Sequence, residues 1–522
     1  MRRLQSAPKS FIAAILLGIA AFWGVIELTE PPGPTLDPDA LAYLGAGTSL
    51  AHGHGLRVPS SSWESVDTTA PLVHFPPGFS TAIALGTLAG ATPLNAARFV
   101  EGTAAAVTAA ALVLAADAAA GVIAGLVAVG IAAFTPAFVI VHAGVLSEPL
   151  FLALLALFTW QLSRERRGTG LKRTLVLGAL AAAATLVRYA GASLLMAVVI
   201  DAWWSVDGPW RSTLAQRARR AFIAAELPVI VLAIWVITRP HSEDAEKIRE
   251  VGVYTQGLGA TLLAGAHTFE RWLAPGAGAE PATAIAALAV LGAISMLVLS
   301  TFRSMRRGEV PAGELRSYRA TAIVLVSYLC VVGASRLLAD PGIPLDERIL
   351  APVFLLLALR MGVALSAFWR RSFHTRRGLV MFTIGVTASW MWGSEEVSAG
   401  WVHDYRTDGG DLAGRAWAAS PLVAWAREAR AGTPLYSNWP AAVWFHTGRA
   451  THELPSDLDE GTVREFRAKF EREHGALLSF KVGAEDYAAP DSLAVRAGLA
   501  AVERWPDGNV WRAPADTIRL HP

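Results

Sequence analysis

The sequence predicts an α-helical, polytopic membrane protein with a small α/β domain at its C-terminal end. Three observations carry that expectation. Apolar stretches close to the length of a membrane span recur through the first three quarters of the 522 residues. Charged residues make up 17% of the chain, against about 25% in an average soluble domain. The basic residues bunch in short segments between alternate apolar stretches. The mean hydropathy of +0.41 agrees.

Eleven stretches approach the ~20 apolar residues that cross ~30 Å of hydrocarbon. They cover residues 11–28, 98–116, 121–141, 148–163, 174–188, 189–204, 221–238, 280–301, 320–337, 349–367 and 378–394. The chain is thus expected to form about 11 transmembrane helices. Basic residues gather at Arg2, Arg3 and Lys9; at Arg164, Arg166, Arg167, Lys172 and Arg173; and at Arg211, Arg217, Arg219 and Arg220. Two further groups are Arg303, Arg306, Arg307, Arg316 and Arg319, and Arg370, Arg371, Arg376 and Arg377. The positive-inside rule puts all five groups on the cytoplasmic face. Residues 79–92 are apolar but short, and a crossing there would put the 164–173 segment outside. They are read as a helix lying at the outer face. The N-terminal stretch resembles a signal peptide in its basic start but has no convincing small-x-small cleavage site before Glu27.

Residues 1–394 are therefore expected to be the transmembrane module, with 29–97 as its first external loop carrying interfacial helices. Residues 395–522 are expected to be an extracytoplasmic α/β domain. Within it, 433–437, 476–482 and 500–504 read as strands, and 440–447 and 461–474 as helices. Residues 239–279 make a smaller external loop. The expected location is the cell inner (plasma) membrane, multi-pass, with a cytoplasmic N-terminus. A net charge of +2 provides no field that would draw in nucleic acid. The single cysteine, Cys330, excludes an intrachain disulfide and reads as packing.

The candidate chemistry lies at the outer face. In Leu36-Asp37-Pro38-Asp39-Ala40, Asp37 is a favoured helix cap and Pro38 a favoured first helical residue. Asp39 then falls in the first turn, where the helix dipole keeps a carboxylate ionised, and Tyr43 lies one turn on. Such a carboxylate suits a general base, although taken alone it fits a dipole-stabilising role better. His74 precedes Pro76-Pro77, which fix the chain rigidly, and stands where it could meet a phosphate headgroup. Glu148, in Ser147-Glu148-Pro149-Leu150, borders a hydrocarbon segment, where an acid is costly and often functional. Arg188 and Arg348 stand at outer ends of spans. Each could anchor the helix or clamp a phosphate; Arg348 could instead pair with Asp346 or Glu347. His52 and His54 lack a third close ligand, so no metal site is expected.

Taken in order, Asp39-x-x-x-Tyr43, Pro76-Pro77-Gly78-Phe79, Ser147-Glu148-Pro149-Leu150, Arg188-Tyr189 and Glu347-Arg348 with Pro352 resemble the GT-C glycosyltransferases. The likeness is to bacterial relatives of the protein O-mannosyltransferases and the aminoarabinose transferases, a glycosyltransferase family 39-like group, and covers about residues 11–370. The tail segments Leu435-Tyr436-Ser437-Asn438 and His446-Thr447-Gly448-Arg449 look like external domains of bacterial members. The resemblance implies an inverting transfer from a polyprenyl-phosphate sugar donor to a protein, lipid or glycan acceptor at the outer leaflet. It matches Asp39 to the family's catalytic aspartate and Glu148 to a second external acid, with no cofactor required and a divalent metal not favoured. The sequence departs from the family where Ala40 follows Asp39 and where His74-Phe75 replaces a lysine before the prolines. The competing readings are a transporter or flippase of lipid-linked sugars, which should carry charges deep in several spans, and a non-catalytic membrane sensor.

Overall fold

In hydrocarbon an apolar segment must satisfy its own backbone, which favours helix. The eleven apolar stretches fall on helices in the computed structural model, which describes residues 7–30, 32–164, 171–203, 214–238, 252–275, 281–481 and 489–514. The basic residues Arg2, Arg3, Arg166, Arg167 and Arg211 lie outside the described residues, as do parts of the 239–279 loop.

The expected number of spans is not reproduced. Among the described residues, five helices are long and apolar enough to cross a membrane: Lys9–Leu28, Pro93–Ala120, Leu214–Thr238, Ala312–Leu338 and Glu347–Ser372. The count reaches six if the pair Val122–Ala133 and Pro136–Ala143, bent by 65°, is one broken span. Two other expected spans, 148–163 and 189–204, fall on helices that are apolar but short. Glu148–Ser163 has 16 residues, which at ~1.5 Å per residue reach about 24 Å of the ~30 Å required. The 79–92 stretch forms the 11-residue helix Gly78–Leu88, about 16 Å long by the same rise.

The bend in the 121–141 stretch has a local cause. Pro136 has no N–H to continue the helix and starts a new one, with Thr135 as its N-cap residue. The hydroxyl of Thr135 donates back to Ile131 O at 2.6 Å and accepts from Trp272 Nε1 at 3.2 Å. Trp272 stacks on Phe354 with ring centroids 4.9 Å apart, and its carbonyl accepts from Trp390 Nε1 at 2.9 Å.

The chain divides into two compact units. The first comprises Met1–Thr29, Val73–Phe79 and Arg98–Asp404. Its helices approach closely where small residues meet, as expected in membranes. At Gly362 a Cβ would stand 2.6 Å from Ala124 O. Cys330, expected in packing, is exposed on the helix Ala312–Leu338.

The second unit comprises Glu30–Leu72, Ser80–Ala97 and Tyr405–Pro522. The division thus falls inside the helix Arg377–Asp408, which runs across residue 394. This unit is built on a six-stranded sheet in the order Ser60–Ser61, Thr451–His452, Leu435–Ser437, Ala476–Phe480, Gly508–Arg512, Ala500–Trp505. The first four strands run parallel and the last two pair antiparallel. Residues 30–72 join the tail through the Ser60–Ser61 pairing, through Leu36 N to Gly410 O at 3.3 Å, and through Lys469 Nζ to Trp63 O at 2.8 Å. Tyr436, Phe466 and Phe470 fill the core beneath the sheet. The carboxamide of Asn438 bonds both N and O of Phe480, and Arg449 donates to the carbonyls of Ala426, Ala429 and Thr433. Burial holds His452 below the ordinary histidine pKa, so the ring that stacks on Tyr436 stays neutral.

Candidate active site

Three local structures bring Glu148, Arg188 and Arg348 together in the first unit. Each is dictated by a helix end.

Glu148 opens the helix Glu148–Ser163, with Ser147 before it and Pro149 in the first turn, where a missing N–H costs nothing. The chain enters this helix under constraint, because Leu146 N donates to Glu101 Oε1 at 2.8 Å. Glu101 is fully buried in Pro93–Ala120. It was not singled out in the sequence; the available signal was an acid within an apolar helical stretch.

Arg188 sits at a break. The helix Leu171–Val187 ends just before it, Arg188 is extended (φ −147, ψ 141), and a single 3-10 turn Tyr189–Gly191 leads into Ala192–Trp203. The turn folds tightly because Gly191 has no side chain; a Cβ there would lie 2.4 Å from Ala184 O. Gly78 of the Pro-Pro-Gly-Phe motif packs on the same segment, where a Cβ would lie 2.7 Å from Leu186 O. The motif therefore braces the turn that presents Arg188.

Arg348 is set by the start of Glu347–Ser372. Asp346 caps that helix, accepting from Ile349 N at 2.9 Å. Burial pushes the Asp346 carboxyl up, although this hydrogen bond and Arg348 draw it back. Glu347 turns away to Arg271, at 2.6 Å. Arg348 reaches beyond its acidic neighbours in sequence to a distant acid.

That acid is Glu148. Arg348 Nε lies 3.0 Å from Glu148 Oε1, and Arg188 Nη1 lies 2.7 Å from Glu148 Oε2. Arg188 Nη1 also donates to Ser147 Oγ at 3.0 Å. The carboxylate side chain is 3% exposed, whereas Arg188 and Arg348 are 20% and 28% exposed. A buried charge is tolerated only when paired, and here one carboxylate orients two guanidinium groups. The triad keeps a net positive charge, and both arginines reach the surface. That arrangement can receive an anion.

A cleft of about 700 Å³ opens beside Asp346, lined also by His267, Thr268 and Arg271. A smaller cavity of about 70 Å³ shares Thr268 and Arg271 and adds Glu347, Trp272, Phe354 and Trp401. Arg271 belongs to the helix Leu258–Leu273, inside the stretch read from sequence only as a loop.

The other predicted residues are placed as follows. His74 is exposed, with its ring 6.5 Å from that of Phe75. In the second unit, Asp37 caps the helix Pro38–Ala51, accepting from Ala40 N at 2.7 Å. Asp39 is half-buried in the first turn, and Tyr43 is buried at 2% exposure. Among the described residues no group of three or more His, Cys, Asp or Glu is placed to hold a metal ion.

Comparison with known proteins gives this geometry a context. Residues 74–237 match the family model described as dolichyl-phosphate-mannose-protein mannosyltransferase. No curated protein matches the chain in sequence. Solved structures do match in fold. ArnT from Cupriavidus metallidurans bound to undecaprenyl phosphate is 13% identical with a TM-score of 0.60, the match covering 96% of this chain and 98% of that one. The archaeal oligosaccharyltransferase AglB from Archaeoglobus fulgidus, in complex with an inhibitory peptide and a dolichol-phosphate, is 10% identical with a TM-score of 0.52, covering 84% and 64%. The arabinofuranosyltransferase AftD from Mycobacteria is 16% identical with a TM-score of 0.54, covering 96% of this chain but 40% of AftD. The chain shares the fold of these solved structures, and residues 74–237 match the dolichyl-phosphate-mannose-protein mannosyltransferase family model.

Proposed function

We propose that the chain is a membrane glycosyltransferase that moves a sugar from a polyprenyl-phosphate-linked donor to an acceptor hydroxyl. The observation that carries this reading is the pairing of Arg188 and Arg348 on the one buried carboxylate of Glu148. In the transfer, the bond from the anomeric carbon to the phosphate oxygen breaks, and negative charge grows on the departing polyprenyl phosphate. Two guanidinium groups already oriented before the reaction stabilise that charge without reorganising. The aromatic cavity of Trp272, Phe354 and Trp401 beside Arg271 offers apolar faces with a polar edge, which suits a sugar or the first units of its lipid. The acceptor hydroxyl attacks the anomeric carbon in a single displacement, which inverts it. Asp39 is assigned as the base that takes the hydroxyl proton, on the resemblance and on its first-turn position. The acceptor is a protein, a lipid or a glycan.

Purified protein should release labelled sugar from a radiolabelled polyprenyl-phosphate donor when acceptor is supplied, and should continue to do so in chelator. No release from any polyprenyl-phosphate sugar would remove this reading. Strict dependence on added Mn²⁺ or Mg²⁺ would overturn the metal-free mechanism, and His52, His54 and Asp37 would then need rereading as ligands.

The reaction is assigned to the extracytoplasmic side of the plasma membrane, because the basic segments require a cytoplasmic N-terminus. A reporter active only outside the cytoplasm, fused after Trp511, should be active, and one fused near Arg164 inactive. The opposite pair of results would reverse the orientation.

A further inference from the structure

Residues 144–147 connect the helices Pro136–Ala143 and Glu148–Ser163. Val145, Leu146 and Ser147 are all buried, so their backbone N–H groups need partners within the protein. Ser147 stands where a helix cap belongs, and serine is a favoured cap. Yet its side chain makes no cap hydrogen bond, and its backbone is already helical (φ −76, ψ −12) rather than extended. Its hydroxyl accepts from Arg188 Nη1 at 3.0 Å. The residue that local chemistry would use to fix the helix start is given to the cation.

The fixing comes from another helix. Glu101 Oε1 accepts from Leu146 N at 2.8 Å, two residues before Glu148. Glu101 is fully buried in Pro93–Ala120, a helix long and apolar enough to cross a membrane. An acid at such a place is costly and is retained for what it does. Its second oxygen, Oε2, is buried with no hydrogen-bond partner among the described residues. The bond to Leu146 N is therefore what the group contributes in hydrogen bonding. The helix that carries it is tied down in turn. One turn earlier, Arg98 donates to Thr29 Oγ1 at 3.1 Å and to Ile26 O at 2.9 Å, at the end of Lys9–Leu28. A group that aims others must itself stand on a supported, rigid element.

We infer that Glu101 is a positioning residue: through Leu146 N it fixes the turn that places Ser147 and Glu148, and through them the guanidinium groups of Arg188 and Arg348. Its consequence for sugar transfer rests on the function proposed above; its hold on the turn does not.

Two measurements on the full chain purified in detergent test this. Hydrogen exchange read by mass spectrometry follows the amides of residues 144–151 with no donor present. Glu101→Leu keeps the bulk and removes the acceptor, and should speed exchange there by about tenfold. Glu101→Gln keeps an oxygen for Leu146 N and should exchange like the wild type. The second measurement is kcat with a polyprenyl-phosphate sugar. Glu101→Leu should lower it by about 10²-fold, the typical effect of a misplacement of about 1 Å, and Glu101→Gln should restore it. In a Glu148→Gln background Glu101→Leu should cost nothing further, because residues acting through one contact are not additive. If Glu101→Leu does not fold, Glu101→Asp, which withdraws the oxygen by one methylene, carries the same comparisons. Unchanged exchange in the variant lacking the acceptor would overturn the inference. So would full turnover in that variant, a glutamine variant as defective as it, or losses that multiply with Glu148→Gln. Absence of turnover in the wild-type protein would sink the proposed function, and exchange would still decide the hold on the turn.

Discussion

Glu148→Gln should give a protein that is both less stable and nearly inactive. The carboxylate is the shared partner of Arg188 and Arg348. Removing one member of a buried ion pair costs about 3–5 kcal/mol, because the other is left with an uncompensated charge. Here the lower end, about 3 kcal/mol, is expected, since the partly exposed arginines can turn toward water. Activity should fall further than stability. Without the carboxylate the guanidinium groups are no longer held in place, and losing one oriented stabiliser of a developing oxyanion typically costs about 10²- to 10³-fold in rate. Glu148→Asp, which keeps the charge on a shorter stem, should recover part of both. Arg348→Ala should weaken donor use while Glu148 keeps Arg188. Thermal midpoints and transfer rates on the purified variants decide the matter. If Glu148→Gln matches the wild type in both, the triad has no part in the reaction.

Asp39→Asn should leave a folded protein that binds donor and transfers very slowly, whereas Asp37→Asn should be close to normal. Both acids lie two residues apart at the start of Pro38–Ala51, so charge alone does not separate them. Geometry does. The Asp37 carboxylate is turned onto Ala40 N, a bond that an asparagine side chain can also make. Asp39 follows it in the first turn. Loss of a general base costs about 10²- to 10⁴-fold in rate, and loss of a cap only about 1 kcal/mol of stability. Asp37→Ala should therefore lower the thermal midpoint modestly and keep activity. A dead Asp37→Asn beside an active Asp39→Asn would move the base to Asp37; two active variants would remove the carboxylate-base mechanism.

What was legible in the sequence followed from local rules. Apolar runs marked the helices, Asp37-Pro38 marked a capped helix start, and tail elements appear where turn residues and alternation placed them: Leu435–Ser437, Pro440–Thr447, Glu460–Glu473, Ala476–Phe480 and Ala500–Trp505, though the strand Gly508–Arg512 that pairs with the last of these was not expected. Thr135-Pro136 also carried a legible break, but the surrounding apolar run masked it. What was not legible depends on distant pairs. Local reading offered Arg348 the acids beside it and not Glu148, 200 residues away. The two-residue pairing of Ser60–Ser61 with Thr451–His452 is too short to leave a periodic trace, so nothing in the sequence joined residues 30–72 to the tail. Arg271 was hidden because a helix was read as a loop. The order of the motifs along the chain was readable; the contacts that gather Glu148, Arg188 and Arg348 were not.

The two glycines that hold the Arg188 turn also limit how this protein can vary. Any change of residue at Gly78 or Gly191 installs a Cβ, and at each that atom would meet a backbone carbonyl that cannot rotate aside, at Leu186 and Ala184 respectively. Neither position has a neutral neighbour in sequence space, not even alanine. An exposed side chain at the cleft, such as that of His267, meets no such carbonyl and can change freely. The hairpin behind Arg188 admits no gradual route. Variation is thereby channelled away from the turn that presents Arg188.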